Sequence, residues 1–318
     1  MTAATRALRL PLARLPELPG AAYLLALLVA GFATSSPEFM SVRNLSNVAL
    51  QAAALIIISL GMTLVILTEG IDLSLGALLG LCGVVMSMLL VSHVSLPVAV
   101  TAALLIGIAA GTCNGALVAY GGMPPFIVTL GIYGIAQSLA MVLTEGNSVT
   151  GLPPAVRWFN EGTWFAVPVP ILAMLAVFAA TWVLLYRTRF GRYVFAIGGN
   201  RRALELAGVP ASAWLVAVYA YAGLLAALAS FIMTARMNAA HPTIAIGLEF
   251  DAIAAVILGG TSFEKGHGGI WGTLVGALAI AVLRNGLNLI GLGADWQVAV
   301  VGLVIVGAMA VDALRRRA

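Results

Sequence analysis

LSNVALQAAALIIISLGMTLVILT, residues 45–68, decides the fold of this chain. The stretch holds 24 residues and no charged side chain. At about 1.5 Å per residue, a helix of that length spans about 36 Å and crosses the roughly 30 Å hydrocarbon core of a bilayer. The segment that follows, Glu69-Gly70-Ile71-Asp72, breaks the run, and a second apolar run begins at Leu73. Nine further runs of this kind lie at 20–34, 73–92, 96–120, 124–144, 165–186, 212–234, 248–262, 269–290 and 294–312. Ser35-Ser36-Pro37, Ser95-Leu96-Pro97, Gly121-Gly122 and Pro124-Pro125 punctuate them. The reading is an all-α, polytopic membrane bundle of about ten transmembrane helices, forming one transmembrane domain over residues 1–318.

Composition agrees. Of the 318 residues, 62% are hydrophobic and 9% charged, against about 25% charged in soluble domains. No polar block of domain size is left, which excludes a soluble domain on a membrane anchor. The net charge of +4 comes from basic residues scattered between apolar runs, so it sets orientation in the membrane rather than binding nucleic acid. With the N-terminus in the cytoplasm, Arg6, Arg9, Arg14, Arg187, Arg189, Arg192, Arg201, Arg202, Lys265, Arg315, Arg316 and Arg317 fall inside. Arg43, Arg157, Arg236 and Arg284 fall outside, which divides the 16 basic residues twelve to four. An even number of spans puts both termini in the cytoplasm. The first apolar run, preceded by arginines, also resembles a secretory signal. Cys82 and Cys113 both lie in apolar runs and read as small buried residues rather than a disulfide or zinc site.

Gly107, Gly111 and Gly115 repeat every four residues, as do Gly268, Gly272 and Gly276. Such ladders line one helix face and admit a neighbouring backbone closely, so they read as helix packing. Polar groups are sparse inside the runs, and a charge at membrane depth costs a few kcal/mol and faces protein or water. Asp72 or Ser74 can cap the third helix. Glu249 and Asp251 open the eighth, where acids complement the helix dipole. Asn114, Asn285 and Asn288 sit in or near late helix turns. No His/Cys/Asp/Glu cluster has metal spacing, and no nucleophile–base pair can be read. His93, His241 and His267 are isolated in loops. The sequence has no G-x-x-x-x-G-K-[ST] string, so the chain has no phosphate loop of that type.

The loop at about 187–211 contains its own short helix. Asn200 is an N-cap, Arg201 to Ala207 make two turns, Gly208 suits the position after the helix, and Pro210 prevents continuation. Ala203, Leu206 and Ala207 share a face, leaving Arg201, Arg202 and Glu205 for solvent or a partner. One reading is a basic loop resting on anionic lipid headgroups; the other is a docking helix for a cytoplasmic protein.

Six strings together resemble one family. They are GMTLVILTEGIDLSLG (61–76), NGALVAY (114–120), PPFIVTLG (124–131), FGRYVFAIGGN (190–200), LEFDAIAAVILGGTS (248–262) and RNGLNLIG (284–291). In this order they resemble the permease subunits of bacterial ATP-binding-cassette importers for monosaccharides of the ribose/xylose/galactose type. That group is itself part of a wider set that includes branched-chain amino-acid permeases. The resemblance implies a multi-pass protein of the bacterial inner membrane that is no enzyme itself. It implies a second permease copy or paralogue, a cytoplasmic ATPase that binds ATP and magnesium, and an extracytoplasmic sugar-binding protein. This chain would hold no cofactor. Asn200, Arg201, Arg202, Leu204, Glu205 and Gly208 then correspond to the element coupling the bundle to the ATPase. Asp72, Asn114, Glu249, Asp251 and Asn285 are placed near the translocation path or its gates. The outer loop at about 145–164, with Arg157 and Glu161, becomes the contact for the binding protein. Glu69 stands where a glycine is common, Gln137-Ser138 replaces a small-Arg-Gly run, and Val301 stands where a lysine is frequent. These departures bear on the cargo, for which a branched-chain amino acid, a nucleoside or a furanone-type signal stays open. A more distant alternative is a carrier driven by an ion gradient.

Overall fold

Backbone N–H and C=O groups find no water in a hydrocarbon layer, so a chain this apolar folds as helices that satisfy them internally. The computed structural model describes residues 20–263, 266–293, 296–304 and 306–307. The segment before residue 20, Lys265, Arg315, Arg316 and Arg317, which enter the charge count and the signal-like reading above, lie outside the described residues. The helices are α1 (Gly20–Ser35), α2 (Val42–Leu67), α3 (Leu75–Val91), α4 (Leu96–Ala119), α5 (Pro125–Thr144) and α6 (Pro154–Glu161). A two-residue hairpin follows, β1 (Thr163–Trp164) with β2 (Val167–Pro168), paired antiparallel. Then come α7 (Val169–Arg187), α8 (Arg189–Leu206), α9 (Ala211–Met237), α10 (Leu248–Leu258) and α11 (Ile270–Leu289). Residues 296–304 are also helical.

Among the described residues, six helices are long and apolar enough to cross a membrane: α2, α4, α5, α7, α9 and α11. The 16 residues of α1 and the 17 of α3 are apolar but shorter. The run read as 248–262 gives a helix of only 11 residues, about 16 Å long and unable to cross alone. It stops where Gly259 packs on the backbone of Gly272 and Gly260 takes a φ of +84°. The apolar stretch of α2 is 89% buried, whereas those of α4 and α5 are 22% buried. So α2 is the axis of the molecule, and α4 and α5 turn apolar flanks outward to lipid or another protein.

The two halves exchange partners. α2, α3 and α4 form a long–short–long set, and α9, α10 and α11 form another. The short α3 packs on α9, and the short α10 packs on α2. α4 lies along α9 and α11 along α2. Glycine makes the closest of these contacts. A Cβ on Gly107, Gly111 or Gly115 of α4 would strike the α9 backbone at Gly223, Tyr219 or Val216. Gly272 and Gly276 of α11 face Gly259 and Ala255 in the same way. Gly268 does not belong to that ladder. Its φ of +140° puts it in the connection before Ile270, tucked against Thr261, because α11 starts two residues later than the spacing suggests. Cys82 is buried, but Cys113 is exposed on the outward flank of α4.

Candidate functional site

Among the described residues, three places bring polar groups together. The first lies where both helix sets break. Thr68–Ser74 joins α2 to α3, and the 238–247 connection joins α9 to α10 before running back along α3. That return is recorded by glycine: a Cβ on Gly80 would meet the carbonyl of Pro242, and one on Gly76 would meet Ala245 and Glu249. The N-termini of α3 and α10 therefore meet inside the bundle. Asp72 is fully buried. Its Oδ1 accepts from the Ser74 amide at 2.9 Å and the Ser74 hydroxyl at 2.6 Å, an Asx-type turn that sets the direction of α3. Asn114 of α4 donates to the same Ser74 Oγ at 2.9 Å. Tyr219 of α9 points its hydroxyl at Gly70, into a slot that only glycine leaves open. Glu249, also buried, accepts from the Gly247 amide at 3.1 Å and rests its other oxygen against Gly76.

α5 clamps both breaks with one face. Thr129 donates to the Ile71 carbonyl at 3.3 Å, and Gln137 donates to the Pro242 carbonyl at 3.2 Å. Between them, four residues from each, Tyr133 lies on the same face of α5. Sequence reasoning passed over Thr129, Tyr133 and Tyr219. The i, i+4, i+8 spacing of Thr129, Tyr133 and Gln137 in an otherwise apolar helix was the available signal.

The second place is an open cavity of about 210 Å³ at the end of the bundle away from α8. Gln51 of α2, Arg236 in the last turn of α9, Asp251 of α10 and Arg284 of α11 line it, together with residues 244–248. Arg284 Nη2 reaches both oxygens of Asp251, at 2.7 and 2.8 Å. Asn285, one residue on, faces elsewhere: it exchanges two amide hydrogen bonds of 2.9 Å with Asn44 and ties α11 to the start of α2. Asp251 is thus brought to a cavity, Asp72, Asn114 and Glu249 to the helix breaks, and Asn285 to a buried cross-link.

The third place is α8, which is two limbs. Asn200 has φ −162° and ψ 91°, so the helix kinks there. The limb before it, Arg189 to Gly199, has no clean helical period in the sequence; the limb after it is the short helix that the sequence describes. Asn200 Oδ1 accepts from the Ala203 amide at 2.9 Å, and Gly208, at φ +80°, closes the limb. Arg201 is not free for solvent. It holds Glu205 at 2.9 Å and reaches back to Ser212 Oγ at 3.0 Å and the Ala119 carbonyl at 3.3 Å, pinning the limb to α4 and α9. Arg202, Ala203, Glu205, Leu206 and Ala207 are exposed, Leu206 at 83%, so the small apolar face turns away from the bundle. At the other end, α6 packs Val156 and Phe159 inward, the latter on Phe231 at 4.5 Å. Arg157 and Glu161 point outward.

Comparison with known proteins gives these places a context. The family model described as branched-chain amino acid transport system / permease component matches residues 44–309. The chain is similar to the ribose import permease protein of Escherichia coli (strain K12), 44% identical over 292 residues, covering 91% of each chain. It is similar to the D-allose transport system permease protein of the same strain, 36% identical over 297 residues, 93% of this chain and 91% of that one. A probable ABC transporter permease protein of Sinorhizobium fredii (strain NBRC 101917 / NGR234) is 36% identical over 292 residues, 91% of this chain and 86% of its own. No solved structure matches the chain.

Proposed function

Because the chain belongs to the family of branched-chain amino acid transport system permease components, as the permease subunit of an ATP-binding-cassette sugar importer in the inner membrane, we propose that its cargo is a single pentose or hexose unit. The cargoes for which these relatives are named, ribose and D-allose, support this reading. A soluble binding protein outside delivers the sugar, with Arg157 and Glu161 on α6 among its contacts, where charge steers encounter more than it adds affinity. A second permease copy or paralogue packs against the outward apolar flank of α5. The chain makes about ten spans with both termini in the cytoplasm, in keeping with the twelve-to-four division of basic residues.

The observation that carries the mechanism is the second limb of α8. It is capped at Asn200, closed at Gly208, pinned by Arg201 and presents Ala203, Leu206 and Ala207 outward. A capped, tethered helix with a small apolar face is more than charge bias requires. It is the coupling element for a cytoplasmic ATPase, and that ATPase, not this chain, holds ATP and magnesium. Closure of the ATPase pair pushes the limb, and Arg201 passes the movement to α4 and α9 and so to the helix breaks. Asp72, Asn114 and Glu249 stand at those breaks, Asp251 at the outer cavity, and Asn285 at the α2–α11 cross-link. They form the gates of a weakly polar path, since selectivity rests with the binding protein.

Reconstitution tests the reading. The chain, its ATPase and its binding protein in proteoliposomes are expected to take up labelled ribose or a related monosaccharide only with ATP. Uptake of L-leucine in place of sugar would reassign the cargo. Uptake that follows an ion gradient without ATP would overturn the importer mechanism.

A further inference from the structure

The cavity at the end of the bundle away from α8 is lined by more polar groups than its packing uses. From it we infer that the permease itself carries a low-affinity site for one monosaccharide ring, formed by Gln51, Arg236 and the Asp251–Arg284 pair. The inference rests on the monosaccharide reading above and adds a site to it.

Size limits the ligand first. The cavity holds about 210 Å³, below the roughly 300–1,000 Å³ of pockets that take drug-sized molecules. One sugar ring fits that space; a disaccharide does not.

The walls limit the chemistry. Arg236 and Gln51 make no hydrogen bond or ion pair with any described residue, although both are partly buried and line the cavity. Arginine brings five N–H donors and glutamine brings two donors and an acceptor oxygen. Asp251 adds acceptor capacity, and its carboxylate is fixed in place by Arg284 at 2.7 Å. Donors and acceptors thus converge on one small space. Adjacent hydroxyls of a sugar both donate and accept, so a polyol can use all of these groups at once. Leu55 and Met233 add an apolar wall for the C–H face of a ring.

Two plainer explanations fall short. Arg236 ends α9, where a cation complements the helix dipole. That accounts for its charge but not for Gln51 opposite it, nor for the cavity. A small anion would be drawn to two guanidinium groups, but it would meet the Asp251 carboxylate in the same wall. A neutral polyol meets no such repulsion. The cavity is open and small, so the affinity is expected on the order of millimolar, as suits a ligand of about ten heavy atoms.

Saturation-transfer NMR on the full chain in nanodiscs tests this, with D-ribose, D-galactose, L-leucine, acetate and inorganic phosphate as probes. Transfer to the sugars is expected, saturating in the millimolar range. Gln51→Leu and Arg236→Gln should each weaken it about tenfold, the worth of one hydrogen-bonding group. Arg236→Lys keeps the charge at the end of α9 and should still weaken it. If Arg236→Gln lowers the melting temperature, Gln51→Leu decides. Unchanged sugar transfer in Gln51→Leu would overturn the site, as would displacement of sugar by acetate or phosphate. Sugar uptake by the reconstituted importer with no transfer signal would overturn the site and leave the cargo reading standing. Leucine transfer with leucine uptake would remove the cargo reading itself.

Discussion

Truncating Arg284 to alanine should destabilise the protein more than truncating its partner, and the asymmetry follows from where each side chain sits. The pair is short, Nη2 to Oδ2 at 2.7 Å, with side-chain exposures of 33% for Arg284 and 8% for Asp251. At that distance and an effective dielectric near 20, the gross attraction is about 6 kcal/mol. Desolvation of two ions, several kcal/mol each, consumes most of it. The pair therefore adds little net stability, and the cost of breaking it depends on which ion is left behind. Arg284→Ala strands the buried Asp251 carboxylate, at about 3 kcal/mol. This is the low end of the usual 3–5 kcal/mol, because the cavity beside it admits water. Asp251→Ala strands a guanidinium that is already a third exposed and can turn to water, at about 1 kcal/mol. The double variant strands no ion and should cost about 1 kcal/mol through lost packing, so the coupling is about 3 kcal/mol. Unfolding free energies in mixed micelles for the two single variants and the double variant measure this cycle. Single-variant costs that add to within about 0.5 kcal/mol, or Asp251→Ala proving the more costly, would refute the reasoning.

Four further outcomes are expected. Gly111→Ala puts a methyl group into the Tyr219 carbonyl and should cost about 1–3 kcal/mol by forcing α4 off α9. Gly131→Ala in α5 meets nothing within 4 Å and should stay within about 0.5 kcal/mol in the same melting experiment. Asn44→Leu leaves the buried Asn285 amide without its partner and should cost about 1–3 kcal/mol. Adding Asn285→Leu should return part of that loss, and a double variant worse than the single would contradict it. Gly208→Ala adds a Cβ at φ +80° in open space, so about 1–2 kcal/mol of strain falls on the limb alone. Coupled uptake should drop while ATP hydrolysis by the complex persists, and unchanged coupled transport would remove the limb from the coupling role.

The sequence discloses helices in this protein more readily than sites. Residues 45–68 already state a membrane helix, because twenty-four uncharged residues have few other stable homes, and α2 occupies 42–67. Asn200, Gly208 and Pro210 fixed the short limb of α8, since capping is a local matter of φ and of one side-chain bond. The first limb was hidden because its residues, Arg189 to Gly199, mix arginine, glycine and aromatics without a clean period. Asp72, Asn114, Glu249 and Asp251 stood out as polar groups beside apolar runs. Thr129, Tyr133 and Tyr219 did not, because a tyrosine or threonine in a membrane helix breaks no rule until its neighbour is known.

What the sequence determined by itself was the solvent: an apolar chain with little charge must place its backbone in helices within a membrane. It also determined the local stops of the second limb of α8, Asn200 ahead of it and Gly208 after it. Only the tertiary structure decided which helices meet. That α10 is too short to cross alone, that the 238–247 connection folds back along α3, and that Gln51 and Arg236 share a cavity depend on contacts between residues far apart in the chain. Periodicity reports the face a helix hides, not the partner that covers it. Here the partner was chosen by where glycine lets two backbones touch.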